Sequence, residues 1–232
     1  MAINLEKGQK INLEKSNGSK LMEFCVGVNW GAMYEMVQER GGFLGLSTKT
    51  VRKEVDVDVD LSCLMTDANG NLVDTLYSPL YNPQMFLARG LPVGKDWSGD
   101  GSMYHTPDDT QGDKGGNDGL DNEIVQVDLT KVRSNISQIF FFLNIFEPKR
   151  VDFTKIPYVQ VRMFEGTPKQ VKTVFAKYDI AADPQFAGKN AILLGKLYRR
   201  GSEWKFAAIG DAFDDGYDLR NTIKRLLDSY AK

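Results

Sequence analysis

The chain has 232 residues, of which 42% are hydrophobic and 11% aromatic, which is enough for a packed core and excludes a disordered chain. Its 29 basic and 31 acidic residues leave a net charge of −2, so no overall field attracts it to nucleic acid or to an anionic membrane. No run of about 18 apolar residues could span a bilayer and the N-terminus does not resemble a signal peptide, so we expect a cytoplasmic protein.

Most periodic segments alternate polar and apolar residues or run apolar, and they are rich in Val, Ile, Phe and Tyr, which predicts β-strands. Without helical patterns between them, these strands predict a mainly β fold of two packed antiparallel sheets, a β-sandwich, in a single domain over residues 1–232. The predicted strands are Leu21–Trp30, Val55–Thr66, Asn71–Tyr77, Ile124–Leu129, Gln138–Phe146, Tyr158–Phe164, Lys172–Tyr178, Ala191–Arg199 and Glu203–Ile209.

Two segments predict short helices. The first, Met33–Arg40, is followed by Gly41-Gly42, a suitable C-terminal cap. The second occupies residues 216–231 and places apolar side chains on one face. We expect that face to cover a sheet, and the alternative is a helix that binds a partner.

Cys25 and Cys63 both fall in apolar strand-like runs, so we expect reduced, buried thiols rather than a disulfide or a zinc site. The stretch Asp67–Asn71 lies between two strand runs and resembles the start of an EF-hand loop. Leu72 and Ser78 stand where that loop needs Gly and Glu, so the stretch predicts a hairpin turn instead.

The highest density of acidic residues lies between Asp96 and Glu123. This glycine-rich segment has no periodicity and contains eight carboxylates and one lysine. Carboxylates this close raise one another's pKa unless a cation neutralises them, and oxygen donors on a loop suit calcium. Asp58 and Asp60 are two residues apart on a predicted strand, so their side chains share a face. The pattern predicts a metal site where this strand meets the acidic loop.

Several ordered motifs resemble one known family. They are INLEKGQKINL at Ile3–Leu13, VGVNW at Val26–Trp30, DVDLS at Asp58–Ser62, His105-Thr106 after Gly101-Ser102, GKLYR at Gly195–Arg199 and EWKF at Glu203–Phe206. Together they resemble the TerD family of bacterial tellurium-resistance and general stress proteins.

The resemblance implies a calcium-binding β-sandwich in which a D-x-D strand meets a G-D-N…G-D-D-E loop and holds one or two Ca²⁺ ions. It also implies companion Ter-type stress proteins and a membrane-embedded partner, so that the protein is cytoplasmic or peripheral to the inner membrane through that partner. The residues that match the family's metal ligands are Asp58, Asp60, Asp108, Asp109, Asp121, Asn122 and Glu123.

The chain departs from the family pattern at several positions. Pro107 replaces the Gly before D-N, D-N becomes Asp108-Asp109, D-D-E becomes Asp121-Asn122-Glu123, and Gly31 stands where an acid often follows the tryptophan. Residues 32–54 and 82–99 resemble insertions. These departures leave the number of ions open between one and two.

Three further roles have two interpretations each. Asp56 is either a third strand ligand or a solvated charge, and His105 supports the site by hydrogen bonding rather than binding calcium, which prefers oxygen. Trp97 and Tyr104 either stack on a ligand or anchor the loop to its own sandwich.

The sequence contains no recognisable pairing of a nucleophile with a base, so we expect a non-catalytic calcium-binding protein of a bacterial stress response. The alternatives are a metal-dependent phosphoester hydrolase and a calcium-dependent module that binds nucleotides or sugars.

Overall fold

The computed structural model describes residues 2–15, 17–41, 47–146, 151–180 and 184–232. Its helices are α1 (Pro83–Leu87) and α2 (Leu219–Ser229), with 3-10 turns at Phe153–Lys155 and Pro184–Phe186. Its strands are β1 (Ile3–Asn4), β2 (Lys10–Asn12), β3 (Glu23–Trp30), β4 (Met33–Gly41), β5 (Ser47–Val55), β6 (Val59–Thr66), β7 (Leu72–Leu76), β8 (Met103–His105), β9 (Glu123–Asp128), β10 (Gln138–Ile145), β11 (Val159–Thr167), β12 (Gln170–Asp179), β13 (Ala191–Arg200) and β14 (Glu203–Phe213).

Twelve of these strands form two six-stranded sheets. The first sheet has the order β1-β12-β11-β3-β9-β8, and the second has the order β2-β14-β13-β10-β6-β7. Neighbouring strands are antiparallel except for the short β1, which pairs with β12 in parallel. The prediction of a mainly β sandwich is therefore confirmed.

The core between the sheets follows from the alternation along the strands. On β3, Phe24, Val26, Val28 and Trp30 point inward and are almost fully buried. The Trp30 indole also donates a hydrogen bond from Nε1 to the carbonyl oxygen of Val57, at 2.8 Å. Trp30 thus joins the end of β3 to the segment that leads into β6.

Helix α2 covers the outer face of the second sheet, as predicted. Its side chains Ile223 and Leu226 are fully buried against Leu64, Phe140 and Leu193. The helix is shorter than the predicted 216–231, because the side chain of the preceding Asp218 accepts a hydrogen bond from the amide of Arg220 and begins the helix there.

The prediction of a helix over Met33–Arg40 was wrong, since this segment forms β4 and pairs with β5 along its whole length. The partner strand β5 contains two Thr and two Val, which favour strands. It supplies backbone hydrogen bonds that the sequence of Met33–Arg40 alone does not reveal. The Arg52 guanidinium also lies 3.6 Å from the centre of the Tyr34 ring across this hairpin. Gly42 of the predicted cap lies outside the described residues.

Smaller predictions were confirmed. Cys25 and Cys63 are free thiols and are buried. The stretch Asp67–Asn71 is the turn between β6 and β7, where Gly70 has a φ of +81° that favours glycine. Sequence periodicity missed β1, β2, β5 and β8, which are short or strongly polar.

We expect Ile223→Ala to destabilise the protein by about 2–4 kcal/mol, because it removes a fully buried side chain from the contact between α2 and the sheet. Lys224→Ala, on the exposed face of the same helix, is the matched control and should change the free energy of unfolding by less than about 0.5 kcal/mol. Chemical denaturation measures both. Similar effects for the two variants would contradict the packing described for α2.

Candidate metal centre

Three aspartates come together at the start of β6. Asp58, Asp60 and Asp108 each place one carboxylate oxygen within 4.8 Å of the others. Val59 and Leu61 point into the core between the sheets, so Asp60 points to the outer face of the second sheet. It is nonetheless only 2% exposed, because the segment that follows β7, including Tyr81, covers it.

Burial and neighbouring negative charges both raise the pKa of Asp60. Burial, then the charges of Asp58 and Glu123, raise the pKa of Asp60 well above its usual range. The Tyr81 hydroxyl donates a hydrogen bond to Asp60 Oδ2 at 2.7 Å and opposes that rise only partly. The cluster therefore carries an electrostatic cost that a bound cation would remove.

The donor set of the cluster fits a hard cation. Asp108 Oδ1 is buried and accepts no hydrogen bond from any residue that the structure describes. Buried carboxylate oxygens are normally hydrogen-bonded or bound to metal. The three aspartates line a pocket of about 120 Å³ together with Ser78, Thr110 and apolar side chains, so a cation bound to them could be reached from outside.

Glu123 lies beside this cluster, but other groups of the protein already bind its carboxylate. It points inward from β9, and its Oε2 accepts a hydrogen bond from the amide of Leu61 at 2.7 Å. His105 Nε2 lies 3.5 Å from the same oxygen and 2.8 Å from the carbonyl oxygen of Leu61. Burial raises the pKa of Glu123, and the contact with His105 opposes that rise.

His105 is the chain's one histidine, and both of its ring nitrogens face backbone carbonyl oxygens. Nε2 contacts the carbonyl of Leu61, and Nδ1 contacts that of Thr106 at 2.5 Å. Carbonyl oxygens only accept, so this geometry favours a proton on each nitrogen. Burial alone would lower the pKa of His105, but the hydrogen bond and charge of Glu123 and the two carbonyls raise it to about 9.

Asp109 and Asn122 belong to a second group, in which amide donors hold the carboxylates. Asn122 Nδ2 donates hydrogen bonds to Asp109 Oδ2 and to Asp113 Oδ1, both at 3.1 Å. Asp113 Oδ2 accepts from Asn29 Nδ2 at 3.2 Å and from the Tyr158 hydroxyl at 2.9 Å. Side-chain donors thus occupy the space between these carboxylates.

Asp121 is paired with Arg162, whose Nε lies 2.8 Å from Asp121 Oδ1 and 3.0 Å from Oδ2. Gly27 makes room for this pair, since a Cβ atom at that position would lie 2.4 Å from Asp121 Oδ2. Of the seven predicted ligands, the structure therefore gathers Asp58, Asp60 and Asp108 in one cluster. Of the other four, Glu123 lies beside that cluster, Asn122 donates a hydrogen bond to Asp109, and Asp121 pairs with Arg162.

Other residues near the loop also have partners. Asp56 forms a half-exposed ion pair with Lys114 at 2.6 Å, which matches a solvated charge. Trp97 and Tyr104 pack on each other with ring centroids 4.6 Å apart, as expected if they anchor the loop. Sequence reasoning missed Tyr81 and Asp113, because a lone tyrosine and one aspartate of an acidic run carry no distinctive spacing.

A family model of the TerD domain matches residues 1–225. The chain belongs to the TerD family. Its relatives include Stress response protein SCP2 of Bacillus subtilis (strain 168), which is 32% identical and aligns over 93% of this chain and 94% of its own length. General stress protein 16U of the same organism is 31% identical over 93% of both chains, and Tellurium resistance protein TerD of Serratia marcescens is 27% identical over 93% of both.

The same fold is also found among solved structures. The crystal structure of a homologue of telluride resistance protein (TerD) from Streptomyces coelicolor A3(2) superposes with a TM-score of 0.53. It shares 14% identity and covers 83% of this chain and 90% of its own, so it shows the same fold. Within the described part of this TerD-family protein, no helix is long and apolar enough to cross a membrane.

The buried His105 predicts a pH dependence of stability in the metal-free protein. Its folded pKa of about 9 exceeds the ordinary value of 6.5, so its stabilisation is complete below about pH 6.5 and is lost as the pH rises through about 9. We expect a loss of about 3 kcal/mol over that range, measured by chemical denaturation. His105→Gln should be less stable than wild type at pH 6.5 and should not show this pH-dependent loss of stability. If the free energy of unfolding changes equally with pH in the two proteins, the loss belongs to another group.

Proposed function

We propose that this member of the TerD family is a non-catalytic calcium-binding protein that acts in resistance to tellurite and other chemical stress. The observation that carries the proposal is the cluster of Asp58, Asp60 and Asp108, whose carboxylate oxygens lie within 4.8 Å of one another. The names of its relatives as tellurium-resistance and stress-response proteins support the biological role.

Calcium suits the cluster for two reasons. It takes six to eight oxygen ligands at flexible geometry, and carboxylates, hydroxyls and backbone carbonyls are the available donors here. The cost of burying Asp60 among like charges falls when a divalent cation binds, so binding energy is gained where the metal-free protein is strained electrostatically. Calcium bound at these residues would neutralise charge and tie the acidic loop to β6.

The hydrogen bonds of Asn122 favour one ion over two. Where two carboxylates could share a second cation, Asp109 and Asp113 instead share the Asn122 amide group. The amide nitrogen of Asn29 and the Tyr158 hydroxyl satisfy the other oxygen of Asp113. Because donors already compensate these carboxylates, a second cation would have to displace them.

A non-catalytic role is supported by the state of His105. With both ring nitrogens against carbonyl oxygens, it has no lone pair with which to accept a proton from a reacting group. In a hydrolytic site, a residue of this kind near the metal would be expected to face the substrate. His105 instead points into the space between the sheets.

We also propose that the protein works in the cytoplasm with companion Ter-type proteins and a membrane-embedded partner at the inner membrane. Membership of the TerD family supports this expectation.

Calcium should raise the stability of chelator-treated protein by roughly 2.7 kcal/mol at a hundredfold excess over Kd, because it binds the folded state. Asp58→Asn and Asp108→Asn should each remove most of this gain. Asp56→Asn is the matched control and should keep it, since the Asp56 carboxylate pairs with Lys114. Thermal unfolding with and without calcium, together with calorimetric titration, measures these effects.

The proposal fails if wild-type protein binds no calcium, or if Asp56→Asn loses binding as completely as Asp58→Asn. Magnesium- or manganese-dependent turnover of a generic phosphoester, lost in Asp58→Asn, would instead support the hydrolase alternative.

Asn122→Asp should create a second ion site, because it replaces the bridging amide with a third carboxylate next to Asp109 and Asp113. We expect calorimetric stoichiometry to rise from one calcium to two, and the metal-free variant to be less stable than wild type. Asn117→Asp, an exposed change in the same loop, should leave the stoichiometry at one. Two ions in the wild-type protein would show that the Asn122 amide does not exclude the second ion.

A further inference from the structure

The outer face of the first sheet carries aligned polar side chains from three neighbouring strands. Gln160 on β11 lies directly opposite Asn29 on β3 and Asp179 on β12. Two residues along the strands, Arg162 lies opposite Lys177. Their chain neighbours are buried in the core between the sheets, so these five side chains point to the outer face.

The loop at residues 117–121 closes over these rows and makes a pocket of about 130 Å³. Asn117 Nδ2 donates a hydrogen bond to Gln160 Oε1 at 3.2 Å. Arg162 Nη2 donates to the carbonyl oxygen of Gly119 at 3.1 Å, and its Nε pairs with Asp121. The pocket therefore has one wall from the sheet and one from the loop. It shares no lining residue with the three-aspartate pocket.

A residue that lines this pocket carries a buried acceptor without a donor among the described residues. Asn29 is only 4% exposed, and its Nδ2 donates to the carbonyl oxygen of Leu120 and to Asp113. Its Oδ1 is buried and receives no hydrogen bond from the residues described, although it belongs to a side chain that lines the pocket. Buried amide oxygens without a donor are uncommon because they lose the hydrogen bonds of water, so a ligand that donates here would restore one.

We propose that this pocket binds a free α-amino acid. The row of Asn29 and Asp179 offers acceptors for an ammonium group, and the row of Arg162 and Lys177 offers donors for a carboxylate. Residues two apart on a strand lie about 6.8 Å from each other, a separation that a small zwitterion bridges with a hydrogen bond at each end.

The balance of charge favours a zwitterion over a simple ion. Arg162 and Lys177 are matched by Asp121 and Asp179 among the residues that line the pocket. The two carboxylates would repel an inorganic anion, and the two basic groups would repel a metal cation. A neutral ligand that carries both charges can place each one beside its opposite.

The test is a thermal-shift screen of the standard amino acids, followed by calorimetric titration of those that raise the melting temperature, both with calcium and with chelator. We expect saturable binding of at least one amino acid, and binding about tenfold weaker or absent for acetate and methylamine, which carry only one of the two charges. Lys177→Met and Asp179→Asn should each weaken binding about tenfold. Lys172→Met, an exposed change on the same strand, should not.

Two comparisons separate this pocket from the metal centre and from other ligands. Asp58→Asn should retain amino-acid binding, because the two pockets have no lining residue in common. No response to any amino acid would overturn the proposal, as would unchanged affinity in both Lys177→Met and Asp179→Asn. Equal or tighter binding of a polyol such as sorbitol, or of inorganic phosphate, would overturn it in favour of that ligand.

Discussion

The main chain of Leu61 is the point at which the two sheets and the acidic loop are joined. β7 pairs with β6 only as far as Leu76, opposite Cys63, so the part of β6 that precedes Cys63 has no strand partner on that edge among the described residues. Glu123 accepts from the Leu61 amide and His105 donates to the Leu61 carbonyl, both from strands of the first sheet. The side chains of Glu123 and His105 thus supply the hydrogen bonds that a neighbouring strand would have made.

This junction explains the position of the three-aspartate cluster. Fixing Leu61 fixes the residues immediately before it, and β9 carries the end of the acidic loop to the same place through Glu123. Asp58 and Asp60 are therefore held where Asp108 arrives from the loop. Three carboxylates would not gather there for their own interaction, since they repel one another. The fold brings them together, and a bound cation would offset the repulsion.

The sequence was most informative where a pattern is local. Alternating strands, the turn at Asp67–Asn71, the buried cysteines and the amphipathic α2 all follow from residues close together in the chain. It was misleading at Met33–Arg40, because a polar segment of that kind takes its structure from the strand it pairs with. The same limit applies to Tyr81, whose hydrogen bond to Asp60 spans 21 positions and has no sequence signature.

By itself, the sequence determined the mainly β class, the resemblance to the TerD family and the set of oxygen donors from which a metal site can be built. Only the tertiary structure decided how those donors divide. Carboxylates that look alike in the sequence meet different partners. Among the described residues, Asp108 keeps an oxygen that no donor contacts, Asp121 pairs with Arg162, and Asp109 shares the Asn122 amide. The reason is that a carboxylate's role depends on which groups lie within a few ångströms of it, and those groups come from distant strands.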